Sequence, residues 1–408
     1  MSGRTGGSLP PCAIVGMGRA ISLRGEAERR TPLQLVVEAA LLAMQEAGID
    51  RSHVGALLTG RMPRSYCSLQ YNQSVLNELK IAPMISTEVT SHGAGALGTI
   101  QLATLLLQSG AIDYALCVAG EASPLWIEMT EGSANWEADL QFEAPFGATT
   151  PAIYAQIARR YMHESGVTPE MCARVAVENR RWALDHPLAA MRGKGEITVE
   201  DVLSSRMIAS PMRLLDCAAW FPGGIGSAAV VTLASRAAAS PGRPIYILGY
   251  GQCSTHEWIG ERMELRGIGP ARDGANLVRS GAAIAARQAY AMAGVGPADI
   301  DIVETSAPFT FANLLVLEEL GFCEPGEGGR FVIAGGIDYD GGLPFNTTGG
   351  YLSFGQSGQG LYLLKEVADQ IHGTPEGRLV PNVRIGAVHG HGGPFACHSV
   401  MLVSGERP

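Results

Sequence analysis

The sequence predicts an α/β protein organised around a mainly parallel sheet, and three observations carry that prediction. Short apolar runs alternate with amphipathic helical stretches along most of the chain. Charged residues are sparse at 17% while glycine and alanine abound, which suits tightly packed layers and argues against disorder. One helix–turn–strand stretch recurs in the second half. At 408 residues the chain has room for two or three units and a large core.

In chain order, CAIVGMG at 12–18 reads as the first strand and LQLVVEAALLAMQEAG at 33–48 as a helix stopped by its Ala-Gly pair. GALLTG at 55–60 and YALCVAGE at 114–121 are further strands, with ALGTIQLATLLLQSG at 96–110 a helix between them. From about 122 to 220 the alternation fails; this stretch holds four of the five tryptophans and many charges, and reads as an inserted loop or cap domain over one end of the core. Residues 36–60 then align without gaps to 282–306, placing Ala39, Ala40, Ala43, Ala47 and Gly48 on Ala285, Ala286, Ala289, Ala293 and Gly294. Generic αβ patterning is the plain alternative, but the length and order of the match favour duplication of a five-stranded half. The expected boundaries are 1–121 with 221–240 for the first half, 122–220 for the insertion and 241–408 for the second half. Counting back from the helix-ending Gly110 and Gly373 puts Gly93 and Gln356 at the openings of two equivalent helices, whose N–H groups and positive dipole ends would face one pocket.

Composition excludes several functions. A net charge of -9 without a clustered basic face argues against a nucleic-acid partner. The eight cysteines are scattered, with no CxxC pair, so neither a metal site nor a disulfide framework is expected. There is no apolar signal core and no run long enough to span a membrane, so a reducing cytoplasm is the expected home. GAGALG at 93–98 matches the dinucleotide fingerprint, but EVTSH before it is too polar for a first Rossmann strand. NADH binding would revive a dehydrogenase reading.

Three stretches resemble the thiolase superfamily: TEVTSHGAGALGTIQLATLLLQSGAIDYALCVAGE at 87–121, PFNTTGGYLSFGQSGQGLYLLKEVADQIHG at 344–373 and IGAVHGHGGPFACHSVMLVSG at 385–405. LEELGFCEPGEGGRFV, GGLPFNTTGG and EVADQIHG are similar to the branch related to sterol-carrier-protein thiolases and steroid side-chain CoA aldolases. The resemblance implies two pseudo-symmetric βαβαβαββ halves in a layered α/β/α/β/α core with an inserted loop domain. It also implies a CoA thioester as substrate with no bound cofactor, a homodimer formed along the first-half sheet, and an OB-fold partner protein.

The chain departs from thiolases where their chemistry sits. At the nucleophile position stands Gly93 or, shifted by one, His92; no cysteine lies within twenty residues. Gln356 replaces the histidine of the GHP motif, and His389 or a close neighbour replaces the second cysteine. The tyrosines expected of related aldolases map to Ser306 and Gln356, so that correspondence fails too. What remains is a histidine-rich set: His92, His389 and His391 with Gln356, Asn346 and Ser306. Imidazole exchanges protons near neutrality, and retro-aldol cleavage needs a base and enolate donors but no covalent nucleophile. Gln356 and helix-end N–H groups at Gly93 are the expected oxyanion contacts, and His389 or His391 the base. Arg180, Arg181, Arg192 and Lys194 in the insertion are candidates for the CoA phosphates, with a solvated helix face as the plain alternative.

The competing readings are specific. HGHGG can be just a glycine-enabled turn. His53, His163, His186, His256 and His372 read as surface or structural, and His398 as part of a core strand. Asp216 and Glu304 are either pocket carboxylates or strand-end caps. The expected function is retro-aldol C–C cleavage of a lipid, steroid or aromatic acyl-CoA. The alternatives are an acyltransferase or thiolase, and a non-catalytic acyl-CoA-binding subunit.

Overall fold

Strand β1 (Cys12–Leu23) leads into helix α1 (Pro32–Ala47), which begins at a reciprocal capping box between Thr31 and Gln34 with Pro32 in the first turn. The helix stops where Gly48 turns left-handed, at φ 68°. Then come β2 (Ala56–Gly60), α2 (Tyr71–Leu79), β3 (Ile85–Val89), α3 (Gly95–Gln108) and β4 (Tyr114–Ala122). Helices α4 (Thr150–Ser165) and α5 (Pro169–Asp185) and a ribbon of β5 (Met207–Ala209) and β6 (Met212–Arg213) precede β7 (Gly223–Leu233). The second run includes β8 (Ile245–Ser254), α6 (Ala282–Ala293), β9 (Ile302–Thr305), α7 (Thr310–Glu319), a short helix Gly328–Ile333, α8 (Gly350–Ser353), α9 (Leu361–His372), β10 (Ile385–Gly392) and β11 (Cys397–Ser404). The computed structural model describes residues 9–23, 30–63, 66, 70–122, 138–259, 277–356 and 360–408.

Nine strands join in the order β3-β2-β4-β7-β1-β8-β11-β10-β9. The sheet is mixed and not mainly parallel as expected: β7 and β11 run antiparallel to both of their neighbours and β1 to β8, while β2 with β3 and β4, and β9 with β10, are parallel, a pattern mirrored about the β1–β8 seam. The internal repeat is visible in detail. Gly48 and Gly294 are both left-handed caps, short turns follow at Arg51–His53 and Pro297–Asp299, and β2 and β9 begin at aligned positions.

At the seam β8 pairs only with Cys12–Ile14 of β1, and the two halves of the sheet diverge beyond it. Helices α3 and α9 fill the space between them, sharing one core with Ile14, Leu58, Ile225, Val388 and Val403. A second core joins α1 and α2 to the outer face of the first half, and a third joins α6 and α7 to the outer face of the second. The middle core spans both sides of α3 and α9, and with the two outer cores it gives the α/β/α/β/α stack that the resemblance implies. The second half departs from the expected five strands. Where a mate of β3 would lie, Phe345 makes an isolated parallel bridge to Val303, because Pro344 and flanking glycines prevent a longer ladder. No helix among the described residues is long and apolar enough to cross a membrane.

Candidate active site

Parallel pairing sets the end of β9 beside the end of β10, with Thr305 opposite His389. Just past β9, the Ser306 N–H donates to the His389 carbonyl at 3.1 Å, and Ser306 Oγ accepts the His391 N–H at 2.8 Å. Ser306 therefore holds the last turn of β10 in place. Asn346, buried and left-handed at φ 56°, supports the same edge: its Oδ1 accepts the Thr305 N–H at 2.9 Å and its Nδ2 donates to Asn313 Oδ1 at 3.1 Å.

His389 is fully buried, and its proton arrangement follows from its neighbours. His398 Nε2 lies 3.2 Å from the Phe395 carbonyl, which can only accept, so Nε2 carries the proton and Nδ1 the lone pair. His389 Nε2 then donates to His398 Nδ1 at 3.0 Å, and its Nδ1 accepts from Thr305 Oγ1 at 2.7 Å. Burial pushes the His389 pKa down to about 3. Both nitrogens are committed and the ring stays neutral, so the expectation of His389 as a base gives way to a structural role.

His391 faces a different setting. Its Nε2 lies 2.7 Å from the hydroxyl of Tyr154, a residue of α4 some 237 positions away in the chain. Phe395 and His398 pack against the imidazole at 5.0 and 5.6 Å between centroids. The turn at His92–Ala94 that opens α3 closes the other side: a Cβ on Gly93 would lie 2.1 Å from the His391 carbonyl oxygen, so only glycine fits. His92 is exposed, with its ring edge beside Gly393. The structure thus brings His92, Gly93, Ser306 and His391 to one corner, with His389 and Asn346 behind it. Gly95 and Gly98 approach the Val89 carbonyl and side chain, which accounts for the GAGALG glycines by packing.

Sequence reasoning missed Tyr154, Thr305 and Tyr351. Tyr351, on α8, is buried and hydrogen-bonds to Ser306; burial raises its pKa. It missed Cys397 as well, which packs with Ala94 and Ala396 at the α3 opening. Burial raises the Cys397 pKa, which disfavours the thiolate.

Other expectations need correction. Gln356 does not open a helix: α9 starts at Leu361 after Gly360, and the Gln356 backbone instead bridges Trp220, donating to Ala219 O at 2.7 Å. Gly355, at φ 115°, packs against the Phe221 backbone and turns the chain into that bridge. Arg180 is buried, donates to Gly195 O at 3.1 Å and has its pKa lowered by burial. Arg181 is held by Glu178, Asp340 and the Tyr339 ring. Arg192 and Lys194 are exposed on the short turn Arg192–Lys194. Asp216 accepts from Thr310 Oγ1 and the Arg213 N–H, while Glu304, inside β9, is hydrogen-bonded to Thr347 and Thr348.

The family model described as thiolase C-terminal domain-like matches residues 271–405. An acetyl-CoA acetyltransferase of Methanothermobacter thermautotrophicus is 33% identical over 375 residues, covering 91% of this chain and 94% of that one. The 17-hydroxy-3-oxo-4-pregnene-20-carboxyl-CoA lyase of Mycobacterium tuberculosis is 33% identical over 371 residues, covering 89% and 92%. Among solved structures, the Ltp2-ChsH2(DUF35) aldolase superposes with a TM-score of 0.80 at 30% identity, covering 97% of this chain and 98% of that one.

Proposed function

Because the chain belongs to the thiolase superfamily, we propose that it is an enzyme of CoA thioesters that cleaves a β-hydroxyacyl-CoA by a retro-aldol reaction without a cysteine nucleophile. The observation that carries this reading is His391, set at the corner where α3 opens and where residues 92 and 93 are histidine and glycine. His391 takes the proton of the β-hydroxyl, the Cα–Cβ bond breaks, and the carbinol carbon leaves as a ketone or aldehyde. The electron pair passes to the thioester as an enolate, which is protonated at Cα to give the shortened acyl-CoA. His92 and the N–H groups opening α3 supply the positive potential that the enolate oxygen needs. The acyl group is a lipid, steroid or aromatic chain; the relatives named as a carboxyl-CoA lyase and an aldolase support carbon–carbon cleavage, and the equally identical acetyltransferase supports acyl transfer.

The exposed Arg192 and Lys194 are the remaining candidates for the CoA phosphates. A homodimer pairs the two copies of β3, the edge strand of the first half, whose residues are mostly half-buried. An OB-fold partner protein completes the assembly, a reading supported by the two-protein aldolase that this chain resembles. His391→Gln tests the base. Turnover of a β-hydroxyacyl-CoA falls by about 10²- to 10³-fold with substrate affinity retained; turnover within a few-fold of wild type removes His391 from the chemistry. One observation favours acyl transfer as a second reading, the packing of Cys397 against Ala94, and a covalent acyl adduct on Cys397 would establish it.

A further inference from the structure

From the inserted segment, the side chain of Tyr154 reaches the proposed site. Tyr154 is 1% exposed, and its ring is wedged against Phe309 and Phe395 with centroids 4.7 and 6.5 Å away. Its hydroxyl lies 2.5 Å from the Gly393 carbonyl, 3.1 Å from the Phe395 N–H and 2.7 Å from His391 Nε2. A phenol has one proton to donate and lone pairs to accept with. The Gly393 carbonyl has no proton, so two oxygens 2.5 Å apart would repel unless the phenol proton lay between them. That proton is therefore committed, and the N–H of Phe395 occupies one acceptor site. The contact with His391 closes only if Nε2 carries a hydrogen and donates it.

We propose that Tyr154 is a positioning residue that holds His391 in the Nε2–H tautomer, leaving Nδ1 as the nitrogen that takes the substrate proton. This rests on the reading of His391 as the base. The backbone supports the same arrangement. The His391 N–H is bound by Ser306 and its carbonyl abuts Gly93, so the residue is anchored on three sides and its ring plane is set by Tyr154. A neutral imidazole with the hydrogen on the wrong nitrogen offers a donor where a base is required, as in any mechanism that depends on the histidine tautomer. The insertion thus supplies a part of the catalytic arrangement that neither half of the repeat contains.

The test uses the full chain labelled with ¹⁵N-histidine and a two-bond ¹H–¹⁵N correlation spectrum, with His391 assigned by its absence in His391→Gln. The wild-type spectrum is expected to show a protonated Nε2 and an unprotonated Nδ1. In Tyr154→Phe, which keeps the ring packing, that preference is lost. The same variant loses about 10- to 100-fold in kcat, part of what a positioned base contributes, with KM within about twofold. A wild-type spectrum with the hydrogen on Nδ1 overturns the proposal, as does an unchanged His391 signal in Tyr154→Phe. Undiminished turnover in His391→Gln removes the base assignment instead, and the spectrum separates that failure from a wrong tautomer.

Discussion

Replacing Glu304 with glutamine should remove a pH dependence of stability that two buried carboxyls create. Thr347 Oγ1 lies 2.9 Å from Glu304 Oε1 and 2.9 Å from Glu366 Oε1, and both glutamates are almost completely buried. The threonine has one proton, so it donates to one carboxyl and accepts from the other, which must itself be protonated. Burial, with Glu366 as the like-charged neighbour, pushes Glu304 up to about 8, and burial raises Glu366 as well. In the unfolded chain each glutamate titrates near about 4.3. The stability this pair contributes is therefore complete below that value and is lost as pH rises toward 8, because only the folded state keeps the proton. For one proton the slope is about 1.4 kcal/mol per pH unit, or roughly 3 kcal/mol between pH 5.5 and 7.5. Glu304→Gln mimics the protonated acid and its amide can donate to Thr347, so the slope should vanish. Thermal midpoints of both proteins, measured from pH 5 to 9, should diverge as pH rises, with wild type falling relative to the variant. Parallel curves across that range would refute the shared proton.

Further outcomes are expected elsewhere in the site and around it. His389 is held neutral near a pKa of about 3, against about 6.5 when unfolded, so it favours the folded state above pH 6.5 and that contribution fades as pH falls toward 3. His389→Gln should flatten this acid-side slope in urea titrations and, with His398 and Thr305 left under-satisfied, cost about 1–3 kcal/mol at pH 7. An unchanged slope would contradict the neutral assignment. The double substitution Arg192→Ala with Lys194→Ala should raise KM for an acyl-CoA about 3- to 10-fold at low salt while kcat holds, and the difference should shrink as salt increases. An equal KM at every ionic strength would move the phosphate contact elsewhere.

The parts of this molecule that obey local rules were legible in the sequence. The alanine stripe of α1 and α6, their glycine stops and the strands after them depend on contacts along the chain, so a gap-free alignment found them. Gly93 was placed at an opening helix, and its need for glycine comes from the carbonyl of a strand almost three hundred residues away. Transferring the first half's spacing to the second failed at Gln356, because Gly355 and Gly360 turn the chain before α9 starts. Arg180 and Arg181 looked available as cations, and tertiary contacts with Gly195, Glu178 and Asp340 engage them. Tyr154 left no local signal, since nothing in its helix distinguishes a tyrosine that fills a core from one that orients a histidine in another strand. His389 and His391 are two residues apart on one strand, and what distinguishes them is tertiary: Thr305 and His398 bind one ring and Tyr154 the other.

The proposed carbon–carbon cleavage needs no thiol nucleophile. Its most direct test is to incubate the protein, with its partner where one is required, with matched β-hydroxyacyl-CoA and β-ketoacyl-CoA substrates, steroid side-chain types included. Products are followed by mass spectrometry with and without free CoA. Release of a carbonyl product and a shortened acyl-CoA from the hydroxy substrate, at the same rate without added CoA, is the predicted result. Cleavage of the keto substrate that appears only when CoA is supplied would mean thiolysis and would contradict the account.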